Sequence, residues 1–219
     1  MVRSLLLVPL LSTTILFCSA QIQVSQEPRH HNVFENAWVR ILDVRIPPGD
    51  TSLIHTHSTP SVFMVLGNTK SGSQVIVEPE KANFSNESVW FEGFYTKPRI
   101  HRVWNSDTIE FHVVDMELPN KNPQPIGPPM EVAGLKLLFD EKPVRGYRLT
   151  LAAGESIHLP AGRKAPILVV GLSNAAGTVR IGDKAFIKKG DFLFVKAGEE
   201  INVGNKGDGE QSFAVFELK

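Results

Sequence analysis

Trp38-Val39-Arg40-Ile41-Leu42-Asp43-Val44-Arg45-Ile46, closed by Pro47-Pro48-Gly49-Asp50, is the stretch that decides the fold. Trp38, Arg40, Leu42, Val44 and Ile46 fall on one side of an extended chain, and Val39, Ile41, Asp43 and Arg45 on the other. A period of two ended by a Pro-Pro-Gly turn reads as a strand. Similar runs return at 62–66, 73–77, 88–91 and 109–118. They are rich in β-branched or aromatic side chains and end at Gly, Pro or Asn, residues that punctuate strands. No segment keeps a helical period over three turns. Residues 79–87 read as one helical turn or a loop.

Pro119 to Pro129 contains five prolines, which excludes a central strand and reads as a semi-rigid linker. Strand runs resume at 135–139, 147–151, 167–172, 178–181, 192–195 and 213–218. The two halves echo each other. Pro48-Gly49-Asp50 corresponds to Ala153-Gly154-Glu155, and Pro60 to Gly67 corresponds to Pro166 to Gly171. Lys97 to Asn105 corresponds loosely to Lys196 to Asn205. An offset near one hundred residues in an all-β chain implies a duplicated barrel and not a solenoid. The expected organisation is a signal peptide at 1–20, a first barrel at 21–118, a linker at 119–130 and a second barrel at 131–219.

The signal-peptide expectation rests on order. Met1-Val2-Arg3 is positive, Leu5 to Cys18 is mostly apolar, and Cys18-Ser19-Ala20 offers a small-residue cut before Gln21. The apolar run, at about 14 residues, is short for a bilayer span. An exported chain, periplasmic or extracellular and with no stable membrane anchor after cleavage, is therefore expected. Cleavage removes the only cysteine, which excludes disulfides and thiolate chemistry from the mature protein. With 23 basic and 23 acidic residues, no basic patch points to nucleic acid.

His55-Thr56-His57 carries the chemistry. Residues i and i+2 of a strand share a face, so both imidazoles project together. Imidazole is the commonest ligand for divalent transition metals, and His101 follows on a later strand close to Pro98. Three such rings make a cap that leaves coordination positions open. The bland reading of His-x-His is a surface or core pair.

The surroundings resemble the cupin family. Its first motif, G-x5-H-x-H-x3-4-E-x6-G, is matched by Gly49, His55, His57 and Gly67. Its second, G-x5-P-x-G-x2-H-x3-N, is met by Gly93, Pro98, His101 and Asn105 with compressed spacing before His101 and the H-x3-N ending intact. The likeness covers residues 33 to 118 well and 132 to 219 in outline. It implies two tandem jelly-roll barrels (the double-stranded β-helix) and a metal on His55, His57 and His101. The motif glutamate is missing, with Pro60, Ser61 and Val62 in its place, and so is the glycine between Pro98 and His101. The resemblance thus implies a three-histidine site of the kind some cupin dioxygenases use. Glu78, Glu80 or Glu92 could supply a carboxylate from elsewhere. A neutral triad leaves the metal charge uncompensated and should favour an anionic ligand.

Fe(II) is the first choice of metal, with Ni, Cu, Mn or Zn as alternatives. Counting from Gly154 as from Gly49 puts Pro160 and Gly162 at the ligand places of the second half, with Asn202 for His101. That half should be metal-free and structural, with His158 an ordinary turn or surface histidine. Phe63, Tyr95 and Trp104 either line an aromatic pocket or fill the barrel core. Arg99 and Arg102 reach a substrate carboxylate or make surface ion pairs. Asn105 fixes a turn, and His112 either stands behind the ligands or is an ordinary core or surface histidine. His30 and His31 read as solvated terminal residues. The functional expectation is a mononuclear non-haem dioxygenase acting on a small oxygenated molecule. The alternatives are a metal-dependent isomerase, epimerase or lyase, and a non-catalytic module that binds a small ligand. Exposed barrel edges would let two copies pair as a homodimer.

Overall fold

The computed structural model describes residues 21–85, 88–159 and 162–219; the signal peptide expected at 1–20 lies outside the described residues. Four sheets make up the fold, and the helical element among the described residues is a single 3-10 turn at Val24–Gln26. One sheet has the order β1 (Ile22–Gln23), β4 (His55–His57), β9 (Arg99–Asn105), β6 (Thr69–Val75), β7 (Lys81–Ser85). The second runs β2 (His30–Glu35), β3 (Arg40–Ile46), β10 (Phe111–Glu117), β5 (Ser61–Val65), β8 (Ser88–Glu92). These two sheets enclose the lumen of the first barrel.

The third sheet runs β11 (Leu135–Asp140), β12 (Val144–Leu151), β19 (Gln211–Leu218), β14 (Ile167–Gly171), β17 (Phe192–Val195). The fourth runs β13 (Ser156–Leu159), β18 (Ile201–Asn205), β15 (Val179–Ile181), β16 (Lys184–Phe186), and closes the second barrel. The expected all-β fold of two tandem barrels is what forms. One local expectation fails: Lys81–Ser85 is neither a helical turn nor a loop but a strand, paired with β6 from Thr69↔Ser85 to Ser73↔Lys81. The backbone edge of β6 needs partners, and that tertiary demand outweighs a weak local pattern.

Strand alternation explains how the barrels join. On β3, β5 and β10, the side chains Leu42, Val44, Ile46, Phe63, Val65, Phe111 and Val113 point into the first lumen. Ile41, Val62, Met64, Val114 and Met116 point the other way and meet Leu168, Val170, Ala214 and Phe216 from the third sheet. Both faces of these strands are therefore buried, which is why they read as almost unbroken apolar runs.

The duplication is visible in hydrogen bonds. Asn105 donates to the Ile46 and Ile109 carbonyls at 2.9 and 2.8 Å. Asn205 donates to the Leu151, Ala152 and Gly209 carbonyls at 3.2, 3.0 and 2.8 Å. Each Oδ1 accepts a backbone N–H two residues on. The lumens differ in filling. Tyr147, Leu149, Leu159, Phe186, Ile201, Phe213 and Val215 fill the second, all 1% exposed or less. The first has a smaller apolar cluster and keeps an open cavity beside its histidines.

Candidate metal centre

His55 and His57 lie on β4 and point inward, and β9 pairs with β4 so that His55 sits directly opposite His101. The ring centroids are 4.6 Å apart for His55–His101, 4.9 Å for His57–His101 and 5.0 Å for His55–His57. The three histidines singled out by spacing thus stand in one cluster. His55 and His57 are buried, and His101 is partly exposed at the cavity mouth.

A fourth ring joins them. The sequence suggests a solvated terminal residue at position 30, but His30 is 7% exposed. Its centroid lies 4.7 Å from that of His55. Ligand atoms of His30, His55 and His57 all lie within 4.8 Å of one another. His30 gets there because the segment just after the expected cleavage point folds onto the barrel. β1 pairs with β4, Gln21 hydrogen-bonds Thr56, and Val24 plugs the lumen. His31, one residue on, is exposed as expected.

Outer groups decide which nitrogens face inward. The His55 Nδ1–H donates to the Leu53 carbonyl at 2.8 Å, leaving Nε2 buried with no partner. His30 Nδ1 lies 2.6 Å from Glu27 Oε2, and Glu27 also accepts the backbone N–H groups of Arg29 and Leu53. His57 Nε2 is 3.0 Å from His101 Nε2, while its Nδ1 faces Asp115 Oδ2 at 3.5 Å. Two ring nitrogens at 3.0 Å either share a proton or share a metal. With metal–nitrogen bonds of about 2.1 Å, that spacing subtends an angle of about 90°. Ligand histidines ordinarily give their second N–H to a carboxylate or carbonyl. Glu27, Leu53 and Asp115 stand in those positions, so the donor set fits a divalent ion.

Electrostatics agree. Burial pushes His55 down to about 4, reinforced by His30. Burial and the neighbouring rings hold His57 well below the ordinary histidine range and take His101 to about 2. These imidazoles are neutral at pH 7, the form that binds metal. Burial opposes ionisation of Glu27, but its bonds to His30, Leu53 and Arg29 outweigh that and hold its carboxyl below the usual range. Burial raises Asp115 well above the usual range, with Glu117 adding to the effect and the Ser61 hydroxyl opposing it.

Other residues fall less favourably. Glu80 pairs with Arg102 and Glu92 with Arg99, so neither completes the site, and Glu78 lines an outer vestibule. The nearby carboxylates are instead Glu27 and Asp115. Phe63 and Arg99 line the inner cavity, whose volume is about 180 Å³. Tyr95 is 61% exposed and lines the vestibule of about 700 Å³. Trp104 alternates with His101 on β9 and points outward, its indole lying across Gly72. His112 faces away from the lumen and bonds Asp43 Oδ1 at 2.6 Å near Arg45 and Gly190. Asn105 acts as a turn anchor.

In the second barrel, β13–β18 pairing places Leu159 opposite Ile201, the positions matching His55 and His101. This shifts by one residue the correspondence counted from Gly154. Both are core residues. His158 is half-exposed and bonds Asn202.

Asp115 had a signal that spacing analysis overlooked. It continues the lumen face of Phe111 and Val113 by strict alternation. Glu27 and His30 had none, because their segment has no period and is positioned only by packing. Phe94 was also unmarked. It takes a left-handed φ of 50°, its ring stacks on His57 at 5.6 Å, and the Arg99 guanidinium sits over it at 5.6 Å.

No family profile matches the sequence, and no curated protein is significantly similar to it. Solved structures do match. Bacterial pirin YhhW from Escherichia coli, in complex with nickel(II), aligns at 16% identity and TM-score 0.61, over 86% of this chain and 87% of that one. A cupin 2 conserved barrel domain protein from Leptotrichia buccalis aligns at 13% and 0.53, over 92% and 100%. A salicylate 1,2-dioxygenase from Pseudaminobacter salicylatoxidans aligns at 10% and 0.53, over 83% and 71%. At such identities the likeness concerns fold, and the fold is that of the cupins.

Proposed function

We propose that this chain is an exported cupin metalloprotein that holds one divalent ion on His55, His57 and His101, with His30 alongside. We further propose that it carries out mononuclear non-haem oxygen chemistry on a small oxygenated organic molecule. The observation that supports this most is the convergence of neutral imidazole rings at one end of an open cavity, with His55 Nε2 buried and without a partner and His57 Nε2 3.0 Å from His101 Nε2. An all-imidazole set suits Fe(II), with Ni, Cu, Mn and Zn as further candidates. A metal held there supplies Lewis acidity and electron transfer with dioxygen. The Leu53 carbonyl, Glu27 and Asp115 fix ring tautomers and orientation. Phe63, Phe111, Val44 and Val113 keep water from the reacting face. The order of charge, apolar run and small-residue cut in residues 1–20 supports export.

A second reading, proton transfer without oxygen, is favoured by Asp115, a buried carboxyl beside the cavity that could act as acid or base. Elemental analysis of the mature chain, purified without chelators beside His57→Ala, tests metal binding. About one metal per chain in the parent and a large loss in the variant are expected. A metal-free parent refutes the reading. Anaerobic Fe(II) reconstitution followed by oxygen uptake over enols and diketones tests the chemistry, and turnover under nitrogen would identify the second reading.

A further inference from the structure

We propose that the inner cavity selects an uncharged molecule of about one six-membered ring, a phenol or cyclic enol and not a carboxylate, with Asp115 as its polar anchor. The inference rests on the metal reading above and specifies what that site binds.

Size comes first. The cavity holds about 180 Å³. An apolar cavity of about 150 Å³ accommodates benzene, so one ring with one or two small substituents fits and a fused second ring does not. Outward extension is blocked by Phe94, whose ring contacts His57 and Phe63 on one side and lines the vestibule on the other. Its left-handed backbone is a costly conformation for a bulky residue, of the sort that persists where a site holds it.

The walls set the chemistry. Val44, Ile46, Phe63, Val65, Phe111 and Val113 present hydrocarbon and aromatic surface. Asp115 stands among them, 1% exposed, with Oδ2 facing His57 Nδ1 at 3.5 Å and Oδ1 buried without a hydrogen-bond partner. Unsatisfied buried polar atoms are uncommon because they are costly, and a ligand hydroxyl would satisfy this one. The apolar walls disfavour a carboxylate ligand, because a buried charge without a partner is costly. The cation on this wall, Arg99, is engaged by Glu92 at 2.5 Å and lies over Phe94. Glu27 already places a negative charge behind His30. The expectation of an anionic ligand, drawn from a bare histidine triad, therefore reverses once the apolar walls, the engaged Arg99 and the Glu27 carboxylate are in place.

The test titrates Co(II)-loaded mature protein with phenol, benzoate and 2-naphthol, read by the visible cobalt bands and by calorimetry. Phenol should saturate, benzoate should bind at least about tenfold more weakly, and 2-naphthol should not bind. In Asp115→Leu, which removes the polar anchor, phenol should bind at least about fivefold more weakly while benzoate changes little, so the phenol-to-benzoate ratio falls. If Asp115 only orients His57, metal affinity changes and the ratio does not, which overturns the proposal. Val113→Leu, which fills space without touching polar groups, should weaken phenol and spare cobalt content. Benzoate binding as tightly as phenol, uptake of 2-naphthol, or no binding of any ring each overturns it. If the parent takes up no cobalt, the metal reading fails separately. Trp90, stacked on Phe63 at 5.3 Å, then reports cavity occupancy by fluorescence in the metal-free chain.

Discussion

Replacing His55 by Leu and His101 by Ile copies into the first barrel the pair that the second carries at Leu159 and Ile201. The double variant should abolish metal binding and flatten the acid limb of the metal-free protein's stability. His55 titrates at about 4 when folded and ordinarily near 6.5. Its folded value is depressed, so the unfolded chain takes up a proton first as pH falls. Stability is intact above about pH 6.5 and lost between there and about pH 4. At pH 5 this ring alone costs about 2 kcal/mol. His57 and His101 act in the same direction.

Asp115 acts oppositely. Its folded value is raised, so the folded chain holds a proton that the unfolded chain releases above about pH 4, and this group favours the folded state as pH falls. Three rings against one carboxyl leave a net uptake of protons on unfolding, so the parent loses stability as pH falls through this range. The double variant keeps only His57 against Asp115, which act in opposite directions, and the slope should be much shallower. Urea unfolding of both chelator-treated proteins at about pH 6.5 and pH 5 measures this, since exposed carboxylates cancel in the difference. Against a total stability of about 5–15 kcal/mol the effect is large. Parallel acid limbs in parent and variant would refute burial of neutral imidazoles.

Two further outcomes follow from the same contacts. Glu27→Gln removes the charge behind His30 and should weaken metal binding by about 10- to 100-fold in chelator competition. Asn205→Ala frees the Leu151, Ala152 and Gly209 carbonyls and should cost about 2–3 kcal/mol by urea unfolding, with metal content unchanged.

The β architecture, the echo between the two halves and the placing of His55 and His57 on one strand face were legible in sequence. Period-two alternation, Gly-Pro punctuation and His-x-His spacing are local, and strand geometry makes them point one way. Residues 79–87 misled because an edge strand is recruited by its neighbour's unpaired backbone. The one-residue shift that sets Leu159 and Ile201 in the places of His55 and His101 was hidden because counting from a turn ignores cross-strand register. A slip of one residue exchanges the two faces of a strand.

What the sequence determined by itself is therefore the kind of element and the residues that share a strand face, since both depend on bond geometry within a few residues. Only the tertiary structure decided the charge and volume of the site. Glu27 and His30 reach it from the amino-terminal segment, Asp115 from β10, and Phe94 from the loop before β9. They meet because packing brings distant segments onto one lumen, and no local period records such a meeting.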